Sequence, residues 1–218
     1  MKNKILTFIC LFIISLPVYA SETDNSIFVT NVEGASFYLD ENKQEQPLQG
    51  FAKLSPATEI VLHKQADLQL VYLSNGQQET WKGPASFTTG TTGSENIQSE
   101  TAPAVKTLPP FMLSVLMKSP EVISSIKTRQ GMIRVRSLMT ARKVKEAEEN
   151  YRKMQRETDA KDITPEIYLI TTLDELKVYN RMIRPLKTMI RKQPNNEQAK
   201  ELYDQFMAVL NNEKQRIE

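Results

Sequence analysis

Beyond residue 20 this chain of 218 residues contains no cysteine; the single one is Cys10. A disulfide framework and a thiol nucleophile are therefore both excluded from the remainder. Histidine is as scarce, with His63 alone. Zinc sites draw on cysteine and histidine together, so no metal is expected. A lone histidine also lacks the companions of a catalytic triad, and its place at the end of "EIVLHKQ" reads as an edge or surface position. No G-x-S-x-G elbow, no H-E-x-x-H and no phosphate-cradling loop occurs. "TTGTTG" has glycines but no following lysine or helix. No cofactor is expected. Carboxylates are plentiful, so hydrolysis by a pair of them stays open, but the leading expectation is a protein without catalytic activity.

Long apolar runs are nearly absent too. The one that occurs, "ILTFICLFIISLPV", follows Lys2 and Lys4 and precedes Val18-Tyr19-Ala20. A positive start, an apolar core and small residues at the cleavage positions make residues 1–20 a signal peptide. The run is shorter than the roughly 20 apolar residues of a spanning helix. Export to the periplasm by a cleaved leader is the expectation, and nucleic acid is accordingly not an expected partner. Cys10 lies inside the apolar core, without the context of a lipid-attachment site.

Charge is balanced only on average. The chain has 28 basic and 26 acidic residues. From Ser21 to Pro110 there are 5 basic against 11 acidic residues, and from Phe111 to the end 21 against 15. An acidic front and a basic back can attract each other within one molecule or between two.

Residues 27–95 read as β-structure. "SIFVTNV" and "ASFYLD" flank a tight turn at Glu33-Gly34, and "ATEIVLH" and "DLQLVYL" follow, all rich in β-branched or aromatic residues. Asn75-Gly76 is a strong hairpin signal, because a two-residue type I′ loop needs positive φ at both positions. That loop would set Leu70 opposite Trp81, Tyr72 opposite Glu79 and Leu68 opposite Gly83. One face then carries Leu68, Leu70, Tyr72 and Trp81, and that face is the core side. Trp81 reads first as a core plug. The sharper alternative is a sugar-stacking platform made by Trp81 with Tyr72.

This segment resembles the FecR-like periplasmic domain in "NVEGASFYL" and "LSPATEIVLHKQADLQLVYLSNGQQETWKGPASF", about a third of the chain. The resemblance implies a small antiparallel β domain used for contacts outside the cytoplasm. Regulators of that family carry a cytoplasmic segment and a membrane span before the domain. Here a signal peptide precedes it, so control of a sigma factor by a cytoplasmic tail is not carried over.

"TTGTTGSENIQSETAPAVKTLPP" is low in apolar content and reads as a linker or a loosely attached final strand. "FMLSVLMK" reads as a short buried helix, with a strand the alternative that periodicity alone leaves open. "VISSIKTRQGMIRVRSLMTARKVK" then holds seven basic residues and no acidic one. Its "MIRVR" alternates as a half-buried strand would. Arg129, Arg134, Arg136, Arg142 and Lys143 are the candidate contacts for an anionic partner; the competing reading is a solvated face.

From Thr140 the period is helical. Val144, Ala147, Tyr151 and Met154 share one stripe; Leu169, Leu173 and Leu176 a second; Met182, Leu186, Met189 and Ile190 a third; Ala199, Leu202, Tyr203, Phe206, Val209 and Leu210 a fourth. Thr164 caps the second of these helices, with Pro165 in its first turn. This region resembles tetratricopeptide repeats, with Leu169, Leu173, Tyr179, Met182, Leu186, Met189 and Pro194 at that family's signature positions. The resemblance implies a concave peptide-binding side, with Tyr168, Thr172 and Glu175 facing it. About three such repeats are normally needed to bury their apolar faces. One repeat with two flanking helices must find the missing cover on the β domain, a second copy or a partner.

The sequence thus predicts an α+β protein. Residues 1–20 are the signal peptide, 21–95 the β domain, 96–139 a linker with a short helix and a basic connector, and 140–218 the helical region. The expected function is that of a non-catalytic, exported interaction module, an adaptor, scaffold or envelope signalling protein. Its partner is another envelope protein or a second copy of itself, with a membrane surface ranked lower. The alternative is a glycan- or cell-wall-binding protein using Trp81 and Tyr72.

Overall fold

The computed structural model describes residues 25–40, 42–128 and 138–215. Among these residues ten strands precede six helices, an α+β arrangement. The strands are β1 (Ile27–Glu33), β2 (Ser36–Leu39), β3 (Glu45–Pro47), β4 (Lys53–Leu54), β5 (Glu59–Leu62), β6 (Asp67–Tyr72), β7 (Gln77–Lys82), β8 (Ala85–Thr89), β9 (Ser94–Ser99) and β10 (Ala104–Thr107). They form two antiparallel sheets, a first with order β10-β7-β6-β1-β4 and a second with order β3-β2-β5-β8-β9. The turn at Glu33-Gly34 is a corner that carries the chain from the first sheet to the second, not a hairpin. Gly34 sits there at φ +75°, and a Cβ would meet the Gln65 carbonyl oxygen at 3.0 Å.

The two sheets face each other over Ile27, Val29, Ile60, Leu62, Leu68, Leu70, Tyr72, Trp81 and Phe87. Side chains alternate along a strand, so Phe28 and Val71 leave the first sheet on its other face. That face is buried as well. Phe28, Val71, Leu73 and Leu108 belong to one apolar cluster with the helices. The first sheet is thus the middle layer of three.

The Asn75-Gly76 hairpin exists, but its register differs from the expectation by two residues. Leu68 pairs with Trp81 and Leu70 with Glu79. Of the two turn residues only Gly76 has positive φ, at 74°, so the type I′ loop is not made. Gly76 N–H instead donates to the Tyr72 carbonyl at 2.8 Å. An even shift leaves every side chain on its predicted face. Leu68, Leu70, Tyr72 and Trp81 therefore do share the core side.

Residues read as a linker supply both β9 and β10, so the β-structure runs to Thr107 rather than ending at residue 95. The hairpin tip helps to hold the approach to β9. Asn75 Nδ2 donates to the Thr92 carbonyl at 2.9 Å, and Ser74 Oγ donates to that of Thr91. Glu79, buried, accepts from Trp81 Nε1 at 2.9 Å, from Ser94 N–H at 3.1 Å and from Gln77 Nε2 at 2.8 Å. Tyr72 and Ser94 share a hydrogen bond of 2.7 Å, and burial pushes the Tyr72 phenol well above its ordinary pKa.

The helices are α1 (Pro110–Leu116), α2 (Ser119–Thr128), α3 (Leu138–Glu157), α4 (Thr164–Glu175), α5 (Ile183–Lys192) and α6 (Glu197–Gln215). The predicted stripe Val144, Ala147, Tyr151 and Met154 is buried, as are Leu169, Leu173, Tyr179, Met182, Leu186 and Met189. Pro185 falls in the first turn of α5, where a missing N–H is tolerated. The cap of α4 differs from the expectation. Asp162 Oδ1 accepts the Thr164 N–H at 2.8 Å, and the Thr164 hydroxyl instead accepts from Gln78 Nε2 of the first sheet.

Helix α4 is the centre of the bundle, touching α1, α2, α3 and α5. The cover that the short bundle needs is supplied within the chain, by the first sheet and by α1 with α2. Removing Phe28, fully buried on the helix side, leaves a cavity at this junction. Phe28→Ala is expected to lower stability by about 3–5 kcal/mol in denaturant titration. A loss below about 1 kcal/mol would mean that the sheet and the helices are not packed as described.

Candidate basic cleft between the third and fifth helices

The residues expected to act do not gather in one place. Trp81 and Tyr72 are both fully buried between the sheets. The Trp81 ring stacks on Phe87 with centroids 4.2 Å apart. A stacking platform needs a ring face open to solvent, so this pair does not form one. Arg142 and Lys143 are exposed on the first turns of α3, while Arg129, Arg134 and Arg136, with the "MIRVR" strand reading, lie outside the described residues. His63 is at the surface beside Phe37, with its Nε2 3.6 Å from Glu45.

Of the expected concave contacts Tyr168 is covered by the chain itself, while Thr172 is half-buried and Glu175 exposed. Tyr168 is buried edge-on against Phe111 of α1, with its hydroxyl accepting from Asn150. Thr172 donates to the Tyr168 carbonyl of its own helix. Glu175 is exposed but paired with Lys118 at 2.7 Å. The segment before the repeat-like helices folds back as α1 and α2 onto the side where a peptide would lie.

A different surface is open. Between α3 and α5 lies a cleft of about 800 Å³ lined by Glu148, Tyr151 and Gln155 on one side and by Arg181, Arg184, Lys187, Thr188 and Arg191 on the other. Helical spacing makes this wall: positions 184, 187 and 191 follow the three- and four-residue steps that stack side chains on one helix face. From Leu176 to Asn196 the sequence has six basic residues and no acidic one. That charge run was available as a signal. The larger run of seven, at residues 122–145, is the stronger charge signal in the sequence.

The floor of the cleft is a buried polar network. Glu166 of α4, with no exposed surface, accepts from the Tyr151 hydroxyl at 3.0 Å, from Gln155 Nε2 at 2.9 Å and from Lys192 Nζ at 2.9 Å. Lys192 also donates to the Asp162 carbonyl, and the Asp162 carboxylate takes Lys106 Nζ of β10 at 2.6 Å. One chain of contacts thus runs from the first sheet through α4 to α3 and α5. Burial raises the Tyr151 phenol well above its ordinary pKa, with the Glu166 charge adding to the shift. Buried charges are tolerated only with partners, and Glu166 has three of them here.

The walls are charged differently. Arg181 donates to Glu148 at 2.6 Å, and Arg152 lies 4.0 Å from the same carboxylate. Arg184, Lys187 and Arg191 have no carboxylate partner among the described residues. Three unpaired cations line about two turns of one helix, a length of roughly 10 Å at 1.5 Å per residue. Among the described residues no cluster of His, Cys, Asp or Glu is arranged to hold a metal ion.

Comparison of the chain with family models, with curated proteins and with solved structures finds no match.

The floor predicts a pH effect and a mutational one. A phenol whose pKa is raised by folding contributes fully below the unfolded value and loses that contribution as pH rises above it. Stability should therefore fall as pH climbs past about 10, the ordinary phenol value, and Tyr151→Phe should blunt the fall. Lys192→Met strands Glu166 without its cation and is expected to destabilise by about 3–5 kcal/mol at neutral pH. Thermal denaturation of the two variants, scanned across pH, checks both; an unchanged profile would contradict the network.

Proposed function

We propose that this protein is a non-catalytic, exported interaction module whose acting surface is the cleft between α3 and α5. The observation that carries this reading is the row Arg184, Lys187 and Arg191, without a carboxylate partner among the described residues, along the wall of a cleft whose floor is a buried hydrogen-bonded network. Cations left without partners on an ordered helix face favour an incoming anion, speed encounter and align it. The partner is the anionic face of another envelope protein. Residues 1–20 support placement in the periplasm through their resemblance to a cleaved leader. The β-structure serves as the platform that holds the helical unit. Glycan binding finds less support, since both aromatics it would use are enclosed.

A photo-crosslinking side chain placed at Asn180, an exposed residue on the cleft rim, tests the reading in intact cells. A discrete adduct is expected from that position and not from Lys64 on the far sheet. Arg184→Glu, Lys187→Glu and Arg191→Glu together should abolish the adduct while leaving the circular dichroism spectrum unchanged. An adduct of undiminished yield in the triple variant would remove the cleft from the interaction. An adduct made only of two copies of the chain would replace the envelope partner with self-association.

A further inference from the structure

Resting on the cleft as the acting surface, we infer that its ligand is an extended acidic polypeptide segment, with several Asp or Glu side chains in a row. The chain itself shows what a carboxylate does there. Glu148 reaches across from α3 to Arg181, at 2.6 Å, and Arg152 lies 4.0 Å from the same group. This internal carboxylate occupies one end of the cleft. The row of cations continues past it on α5 through Arg184, Lys187 and Arg191, without acidic partners among the described residues. An incoming chain that supplied further carboxylates would repeat the Glu148 contact along the row.

The spacing favours a polypeptide over a single small anion. Arg184 and Arg191 are separated by two helical turns, roughly 10 Å at 1.5 Å per residue, a row that several carboxylates on one chain match and a single small anion does not fill. An extended chain advances about 3.3 Å per residue and places every second side chain on one face. Carboxylates at alternate positions therefore recur about every 6.6 Å. That interval is close to the 4.5–6 Å rise of the three- and four-residue steps along the wall. Arginine pairs with a planar carboxylate through two parallel N–H groups, so Arg184 and Arg191 can anchor the ends while Lys187 supplies a point charge between them. A bilayer fits less well. The Tyr151 and Thr188 side chains lie at the bottom of a concavity, which a flat headgroup surface does not enter.

The test uses the full chain and four probes in fluorescence anisotropy or competition: a ten-residue peptide alternating Glu with Ser, the same peptide with Gln for Glu, inorganic phosphate, and anionic phospholipid vesicles. The acidic peptide is expected to bind, weakening as salt rises, and the Gln peptide not to bind. The triple variant Arg184→Glu, Lys187→Glu, Arg191→Glu should lose at least about tenfold in affinity, given the modest value of each exposed pair. Reversing Lys64, Lys82 and Lys153, three exposed lysines elsewhere, changes net charge equally and should leave binding within about twofold. Equal loss in both variants would reduce the effect to net charge and overturn the inference. So would competition by phosphate at the peptide's own concentration, or binding to vesicles alone. Failure of every probe, with the Asn180 adduct still lost in the triple variant, would overturn the acidic-segment ligand and leave the cleft as the interaction surface.

Discussion

A β-sheet with apolar side chains on both faces needs a cover on both, and the first sheet of this protein is such a sheet. Strand β6 makes the point most sharply. Leu68, Leu70 and Tyr72 enter the space between the sheets, and Val71 enters the helical core. Buried apolar area is worth about 25 cal/mol per Å², so neither layer is free to leave the middle one. The same constraint applies to the helices. A bundle shorter than a full repeat array buries its apolar stripes by spending them on the sheet at Phe28, Val71, Leu73 and Leu108. The interdependence of platform and bundle follows from this single junction.

Polar groups reinforce that junction and set its geometry. Gln78 on β7 reaches the hydroxyl of Thr164 at the start of α4, and Lys106 on β10 reaches Asp162 just before it. Lys161 lies 3.6 Å from Glu33 at the end of β1. From Asp162 the contacts pass through Lys192 to Glu166 and Tyr151, the floor of the basic cleft. The wall whose cations have no carboxylate partner among the described residues thus stands on a network continuous with the first sheet. Buried hydrogen-bonded charges fix positions more than they add stability, and fixed positions are what a recognition wall requires.

Much of the fold was legible because it obeys local periods. Alternation in "LQLVYL" put Leu68, Leu70, Tyr72 and Trp81 on one face even though the turn type was misjudged, since a slip of two residues preserves parity. The three- and four-residue steps at Val144, Ala147, Tyr151 and Met154 mark the buried stripe of α3. What failed was what depends on distant partners. "SENIQS" and "AVKT" carry too little apolar content to read as strands, and their partners lie elsewhere in the chain: β9 pairs with β8 and is held at Ser94 by Glu79, and β10 pairs with β7. Helix α4 carries Thr164, Glu166, Thr171 and Asp174 on faces that a period would leave in solvent, yet each is buried, because helices close around it on several sides. The cleft was missed for a related reason. Its cations follow helical spacing, but whether they have partners depends on what α3 brings opposite them.

The joint between sheet and helices is tested most directly by unfolding the whole chain under two probes at once. Trp81, the only tryptophan, reports the space between the sheets through its fluorescence, while far-ultraviolet circular dichroism reports the helices. A shared core predicts superimposable denaturation curves with one midpoint. Two separated transitions, with the helices melting while Trp81 keeps its buried emission, would contradict it.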